Sequence, residues 1–223
     1  MWVVVPVKQF HLAKQRLSTV LSSDERAYLA RMLLHDVLQS ITNSPKVTNT
    51  VIVSRDPAAA EIAHAFGCEF LIEDKADLSL AVAQGASFAK SHGAASFAMV
   101  PGDVPLVSAD EITELVSHSP RLSGITIVSD RHGTGPNGLL VRPVILMPFS
   151  FGEGSYQIHK DTAQQLGVEV EEMRLAGLSL DIDTPNDLVS LLELAGDTAS
   201  AGYLRSIEAW ERLKNVSAAA TAL

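Results

Sequence analysis

The chain has 223 residues, of which 47% are hydrophobic and 19% charged, and its formal net charge is −9. That apolar fraction supports a sizeable core and argues against disorder, while the acidic balance excludes a broad nucleic-acid-binding face, so any phosphate site has to be a local basic cluster. A single cysteine, Cys68, excludes an intrachain disulfide and thiol-based metal sites, and no run is long enough to span a bilayer or preceded by basic residues as a signal peptide would be. A cytoplasmic protein is expected.

The predicted elements alternate. "WVVVPV" (Trp2–Val7) is rich in β-branched residues and reads as a strand buried on both faces. "SSDERAYLARMLLHDVLQSI" reads as a helix, with Ser22 and Glu25 at capping-box spacing and Leu29, Leu33, Val37 and Ile41 on one stripe. A second strand covers Val51–Ser54, followed by a helix started by Asp56 and Pro57 and ended by Gly67. "CEFLIED" reads as strand, "LSLAVAQGASFAKSHG" as helix, "SFAMVPGD" as strand, and "SADEITELV" as a helix with a second capping box at Ser108 and Glu111. "GITIVSD" and "GLLVR" are strands five and six, with "PNG" as turn chemistry between them. "GSYQIHKDTAQQLG" is a helix, "VEVEEMRLAGLSLDID" is strand-like and irregular, and "TPNDLVSLLELAG" is a helix with Thr184 at the N-cap. One final helix is expected through "YLRSIEAWERLKN", then a frayed tail over 216–223. This order predicts one domain, 1–215, with a mostly parallel sheet in a three-layer α/β/α sandwich.

Parallel α/β sheets bind ligands at the carboxyl ends of their strands. The first such loop holds Lys8, Lys14 and Arg16 and has no glycine, which excludes a Walker A loop and a dinucleotide fingerprint. Its cations either contact phosphates or form a solvated basic loop. In "LDID", Asp181 and Asp183 face the same side of an extended segment. They either share a hard cation such as Mg²⁺ or precede a helix N-terminus favoured by its dipole. Asp103 is a turn former or a third ligand. Gly152, Gly154 and Ser155 form a backbone anion site or an ordinary turn with a serine cap. No histidine pair has metal-ligand spacing, and Cys68, Trp2 and Trp210 read as packing residues.

"VPVKQFHLAKQRL", "PGDVPL", "DRHGTGPNGLL", "FGEGS" and "LDIDTPNDL", in this order, resemble the CofC/FbiD family of guanylyltransferases, which activate a three-carbon phospho-acid in coenzyme F420 biosynthesis. The resemblance implies the nucleotide-diphospho-sugar transferase fold, Mg²⁺ on Asp103, Asp181 and Asp183, and GTP held by the first loop with Lys8 and Arg16. It implies phospho-acid contacts at Gly152, Ser155, Asn137 and the "GTG" containing Thr134. Two positions depart from it. Ser79 stands near the nucleotide base where the family often has Asn, and Pro136 stands where it commonly has a substrate-binding Thr.

Proline brings neither a hydroxyl nor a backbone N–H. That change points to 3-phospho-D-glycerate as acceptor, with phosphoenolpyruvate and 2-phospho-L-lactate as the alternatives. The expected reaction is attack of the acid's phosphate on GTP with loss of pyrophosphate, by a monomer or homodimer without nucleic-acid or membrane partners. A cytidylyl- or other nucleotidyltransferase, a glycosyltransferase of the same fold and a non-catalytic nucleotide-binding protein are the competing readings.

Overall fold

The computed structural model describes residues 1–118, 123–144 and 147–221. The elements are β1 (Trp2–Val7), α1 (Ser23–Asn43), β2 (Asn49–Ser54), α2 (Pro57–Ala65), β3 (Glu69–Ile72), α3 (Leu78–Ser91), β4 (Phe97–Met99) and α4 (Ala109–Ser117). They continue with β5 (Gly124–Ser129), β6 (Pro136–Arg142), α5 (Ser155–Gln165), β7 (Glu169–Met173), α6 (Pro185–Leu194), α7 (Ala199–Ser206) and α8 (Ala209–Thr221). One sheet runs in the order β3-β2-β1-β4-β6-β5-β7. All its pairings are parallel except those of β6, which is antiparallel to both β4 and β5. The sheet is therefore mostly parallel, as expected.

Alternation along β1 sorts the core into two faces. Val3 and Val5 pack with Leu34 and Val37 of α1, Ala59 of α2 and Leu115 of α4. Val4 points the other way, with Ala81 and Ala86 of α3 and Ala163 of α5. The far side of α1 carries Leu29 and Leu33 and is covered by Leu188, Leu204 and Leu213 of α6, α7 and α8. The helix starts follow sequence chemistry: reciprocal capping boxes at Ser22–Glu25 and Ser108–Glu111, and the Asp56 carboxylate on the Ala58 amide.

Three expectations are corrected. Pro136 and Asn137 lie inside β6, not in a turn before it; the turn is 130–135, which the Asp130 carboxylate closes on itself. Ser155 is the first residue of α5, and its N-cap is Gly154 in a left-handed conformation (φ 68°), which suits glycine. The single C-terminal helix is two, α7 and α8, broken where Glu208 takes φ 54°. Helix α8 continues to Thr221 through most of the segment expected as a tail, and 222–223 lie outside the described residues. Among the described residues no helix is long and apolar enough to cross a membrane.

Candidate active site

A cavity of about 590 Å³ opens along the carboxyl edge of the sheet. It runs from Glu73, Asp77 and Leu78 after β3, past Arg55 after β2 and the loop after β1, to Pro101–Asp103 after β4. It ends at Pro136 and Asn137, which begin β6, and at Asp181 and Asp183. Because β6 is antiparallel to β4, its first residues lie at the end where β4 finishes. Five strands at about 4.8 Å spacing give the cleft a length near 19 Å, room for a nucleotide with a second small substrate.

The glycine-free loop after β1 is ordered by its own residues. Phe10 is buried and its amide donates to Asp56 Oδ2 at 2.7 Å, while Leu17 anchors the far end in the core under α1. Between them Lys14 takes a left-handed backbone (φ 56°, ψ 37°), uncommon for a lysine. Its ammonium lies 2.6 Å from Asp103 Oδ2 and 2.9 Å from Asp183 Oδ1, with the side chain only 6% exposed. Burial disfavours that charge, but the carboxylates of Asp103 and Asp183 outweigh it and hold the lysine above its ordinary pKa. Lys8 and Arg16 stay exposed at the rim, and neither makes an ion pair among the described residues.

The acids differ in state. Burial alone would push Asp183 up, yet Lys14, then Lys8 and Arg16, hold its carboxyl below the usual value. Asp181 is raised, first by burial and then by the charges of Asp103 and Asp183, against a hydrogen bond from Asn137 Nδ2 at 3.0 Å. The loops are tied together: Ile182 N donates to Asp103 O at 3.1 Å, and Gly102 passes over β1, where a Cβ would come within 3.2 Å of Val7 and Leu34.

Among the described residues no three His, Cys, Asp or Glu side chains are grouped to hold a metal ion. The donors are hard carboxylate oxygens, two of them sharing Lys14. This suits Mg²⁺ held through one or two carboxylates, waters and substrate phosphates, and does not suit an all-protein cage.

A family model described as guanylyl transferase CofC like matches residues 1–221. The chain belongs to this CofC family. A phosphoenolpyruvate guanylyltransferase of Roseiflexus sp. (strain RS-1) is 38% identical over 202 residues, covering 91% of this chain and 89% of that protein. A 2-phospho-L-lactate guanylyltransferase of Methanothermobacter thermautotrophicus is 31% identical over 208 residues, covering 92% and 89%. A solved nucleotide-diphospho-sugar transferase structure from Desulfovibrio desulfuricans G20 superimposes with a TM-score of 0.74 at 18% identity, covering 96% of each chain. That likeness shows the fold.

In this CofC-family chain the cavity gathers Lys8, Lys14, Arg16, Asp103, Pro136, Asn137, Asp181 and Asp183. Ser79, Thr134, Gly152 and Ser155 are not among its lining residues. The Ser79 hydroxyl accepts from the Phe151 amide at 2.9 Å, which brings Phe151 to the cavity wall. Thr134 gives its hydroxyl proton to Asp130 Oδ2 at 2.6 Å, so it has no donor left for an anionic substrate. Ser155 is buried beneath the same turn, its Oγ 3.5 Å from where a Cβ on Gly135 would stand.

Sequence reasoning missed Asp130, whose two oxygens accept from His132 N, Thr134 N, Thr134 Oγ1 and Gly135 N. It also missed Asp187, which collects Arg131, Asp183 N and Thr184. The signal for Asp130 was local: an aspartate before a glycine-rich turn. Asp187 occupies the N3 position of a Thr-capped helix, the place of the acid in a capping box.

Proposed function

We propose that the chain transfers the guanylyl group of GTP to the phosphate of phosphoenolpyruvate and releases pyrophosphate, as a step in the biosynthesis of coenzyme F420 or a derivative. The observation that carries this reading is the convergence, in one cleft, of Lys8, Lys14 and Arg16 on the carboxylates of Asp103 and Asp183. The names of the relatives support phosphoenolpyruvate over the 3-phosphoglycerate suggested by Pro136.

A phosphate monoester with a second pKa of about 6 is already a dianion near neutral pH, so the acceptor needs no general base. Among the described residues no histidine lines the cavity. An acceptor oxygen forms a bond to the α-phosphorus, the bond from that phosphorus to the bridging α–β oxygen breaks, and pyrophosphate leaves with both electrons. Lys8 and Arg16 offset the repulsion between two polyanions. Asp103 and Asp183 would hold Mg²⁺, which when bound supplies Lewis-acid stabilisation of phosphoryl charge. Lys14 holds those carboxylates in place and favours the ionised form of Asp183. Pro136 and Asn137 form the wall where an in-line acceptor would lie.

The test incubates the protein with GTP, Mg²⁺ and each of the three acids, and identifies products by mass spectrometry. A guanosine diphosphate ester of the acid with equimolar pyrophosphate is expected, fastest with phosphoenolpyruvate. No product with any acid, or turnover with CTP exceeding that with GTP, rejects the reading. Asp183→Asn should lose turnover while staying folded.

A further inference from the structure

The segment 179–183 belongs to no strand of the sheet, so its position depends on individual bonds. Beside the Ile182 amide on Asp103 O, the Lys14 ammonium on Asp183 and local turn bonds, two of them come from the 130–138 hairpin, and a third tie from that hairpin reaches α6. Arg131 N donates to Ser179 O at 2.9 Å, Asn137 Nδ2 donates to Asp181 Oδ1 at 3.0 Å, and the Arg131 guanidinium pairs with Asp187 Oδ1. Gly138 allows the close approach, because a Cβ there would stand 2.7 Å from Leu178 Cδ2. Asp187, 4% exposed, uses its other oxygen to accept from Asp183 N at 2.9 Å, Thr184 N at 2.6 Å and Thr184 Oγ1 at 2.9 Å.

We propose that Arg131 is a positioning residue for nucleotidyl transfer: through Asp187 it fixes the backbone of Asp183 and couples the acceptor-side hairpin to the carboxylates. Arg131 is the one cationic partner of this buried carboxylate among the described residues. Without it Asp187 keeps its amide donors but loses the tie that orients it across the cleft. Asp183 is then set by the α6 cap, by Lys14 and by the Ile182–Asp103 bond, without the pull of the hairpin on Asp187. Misplacement of about 1 Å in a reacting constellation costs on the order of 100-fold in rate. The kinetic part of this inference rests on the proposed reaction, and the structural part does not.

The test compares Arg131→Ala and Arg131→Lys with wild type. The Arg131 side chain is 32% exposed on a surface turn, so its truncation leaves no core cavity. Amide hydrogen exchange at Asp183 and Thr184 should quicken by about 10-fold in Arg131→Ala while β1 amides stay protected. Its kcat should fall by about 10- to 100-fold, with KM for GTP held within about 2-fold. Arg131→Lys should recover part of the loss, since an ammonium keeps the charge but not the planar fork. Unchanged exchange at Asp183 and Thr184 overturns the positioning role. Wild-type kcat in Arg131→Ala overturns its link to the reaction. A wild-type protein inactive with every acid rejects the proposed function, and the exchange comparison still decides this inference.

Discussion

Lys14 Nζ sits between Asp103 and Asp183, within hydrogen-bonding distance of both, on a residue whose own backbone is left-handed. Replacing it with methionine leaves two carboxylates facing each other. Breaking a buried pair costs about 3–5 kcal/mol, and the partial exposure of Asp103 and Asp183 (32% and 45%) discounts that to roughly 1–2 kcal/mol. The sign with pH follows from both partners. The lowered Asp183 contributes stability above its unfolded pKa of about 3.9 that is lost as pH falls through the folded value. The raised Lys14 contributes stability below its unfolded pKa of about 10.4 that is lost as pH rises through the folded value. The gap in Tm between wild type and Lys14→Met should be widest between about pH 4 and pH 10. Equal Tm values at pH 7 would show that the pair contributes nothing.

Asp181 should behave oppositely. Its carboxyl is raised, so ionising it costs folded-state free energy at neutral pH. Asp181→Asn keeps an oxygen to accept from Asn137 and removes the charge. A gain of up to about 1 kcal/mol is expected at pH 7, disappearing below about pH 4, together with a fall in turnover. Thermal melts at the two pH values check it; a gain of the same size at both would reject the electrostatic cause.

Helix α3 approaches the sheet at Gly85, where an added Cβ would lie 2.4 Å from Val4 Cγ1 and 3.2 Å from Val53 Cγ2. Alanine gains about 1 kcal/mol of helix propensity over glycine, but overpacking against stiff β-branched side chains costs about 1–3 kcal/mol. Gly85→Ala should therefore be a net loss in urea denaturation. Gly202 in α7 has nothing within 4 Å of its Cβ position, so Gly202→Ala should gain up to about 1 kcal/mol. Similar effects at both positions would contradict this packing account.

Pro136 lines the cavity from within β6. Pro136→Thr adds a hydroxyl and a backbone N–H beside the proposed acceptor. The ratio of kcat/KM values among phosphoenolpyruvate, 3-phospho-D-glycerate and 2-phospho-L-lactate should shift by about 10-fold, the worth of one hydrogen bond. An unchanged ratio would make the proline incidental to substrate choice.

The fold was legible wherever the physics is local. "WVVVPV" gave a buried strand because β-branched residues without polar alternation suit one covered on both faces, and Ser22–Glu25 marked a helix start that closes within one turn. The gathering of Lys8, Lys14, Arg16, Asp103, Asp181 and Asp183 was legible because all of them follow strands or precede a helix at the same sheet edge. Part of what was not legible depends on partners distant in sequence. The Lys14 ammonium is spent on two acids far along the chain, so it does not simply join Lys8 and Arg16 as a phosphate contact. Pro136-Asn137 has turn composition, but Asp130 closes the turn earlier and leaves both residues to pair in β6. Glu208 breaks the C-terminal helix without a glycine or proline to announce it.

The core beneath α1 has a consequence for salt. Leu17, at the end of the basic loop, and Ile182, between Asp181 and Asp183, pack into the same apolar cluster with Leu29, Leu33 and Leu188. The basic loop and the acidic segment thus share a hydrocarbon floor, which holds them beside each other in addition to the Lys14 ion pairs. At an ionic strength of 0.15 M charges are screened beyond about 8 Å, and stronger salt would weaken the capture of polyanionic substrates by Lys8 and Arg16. The cleft itself would keep its shape, since burial of those leucines and Ile182 does not depend on counterions.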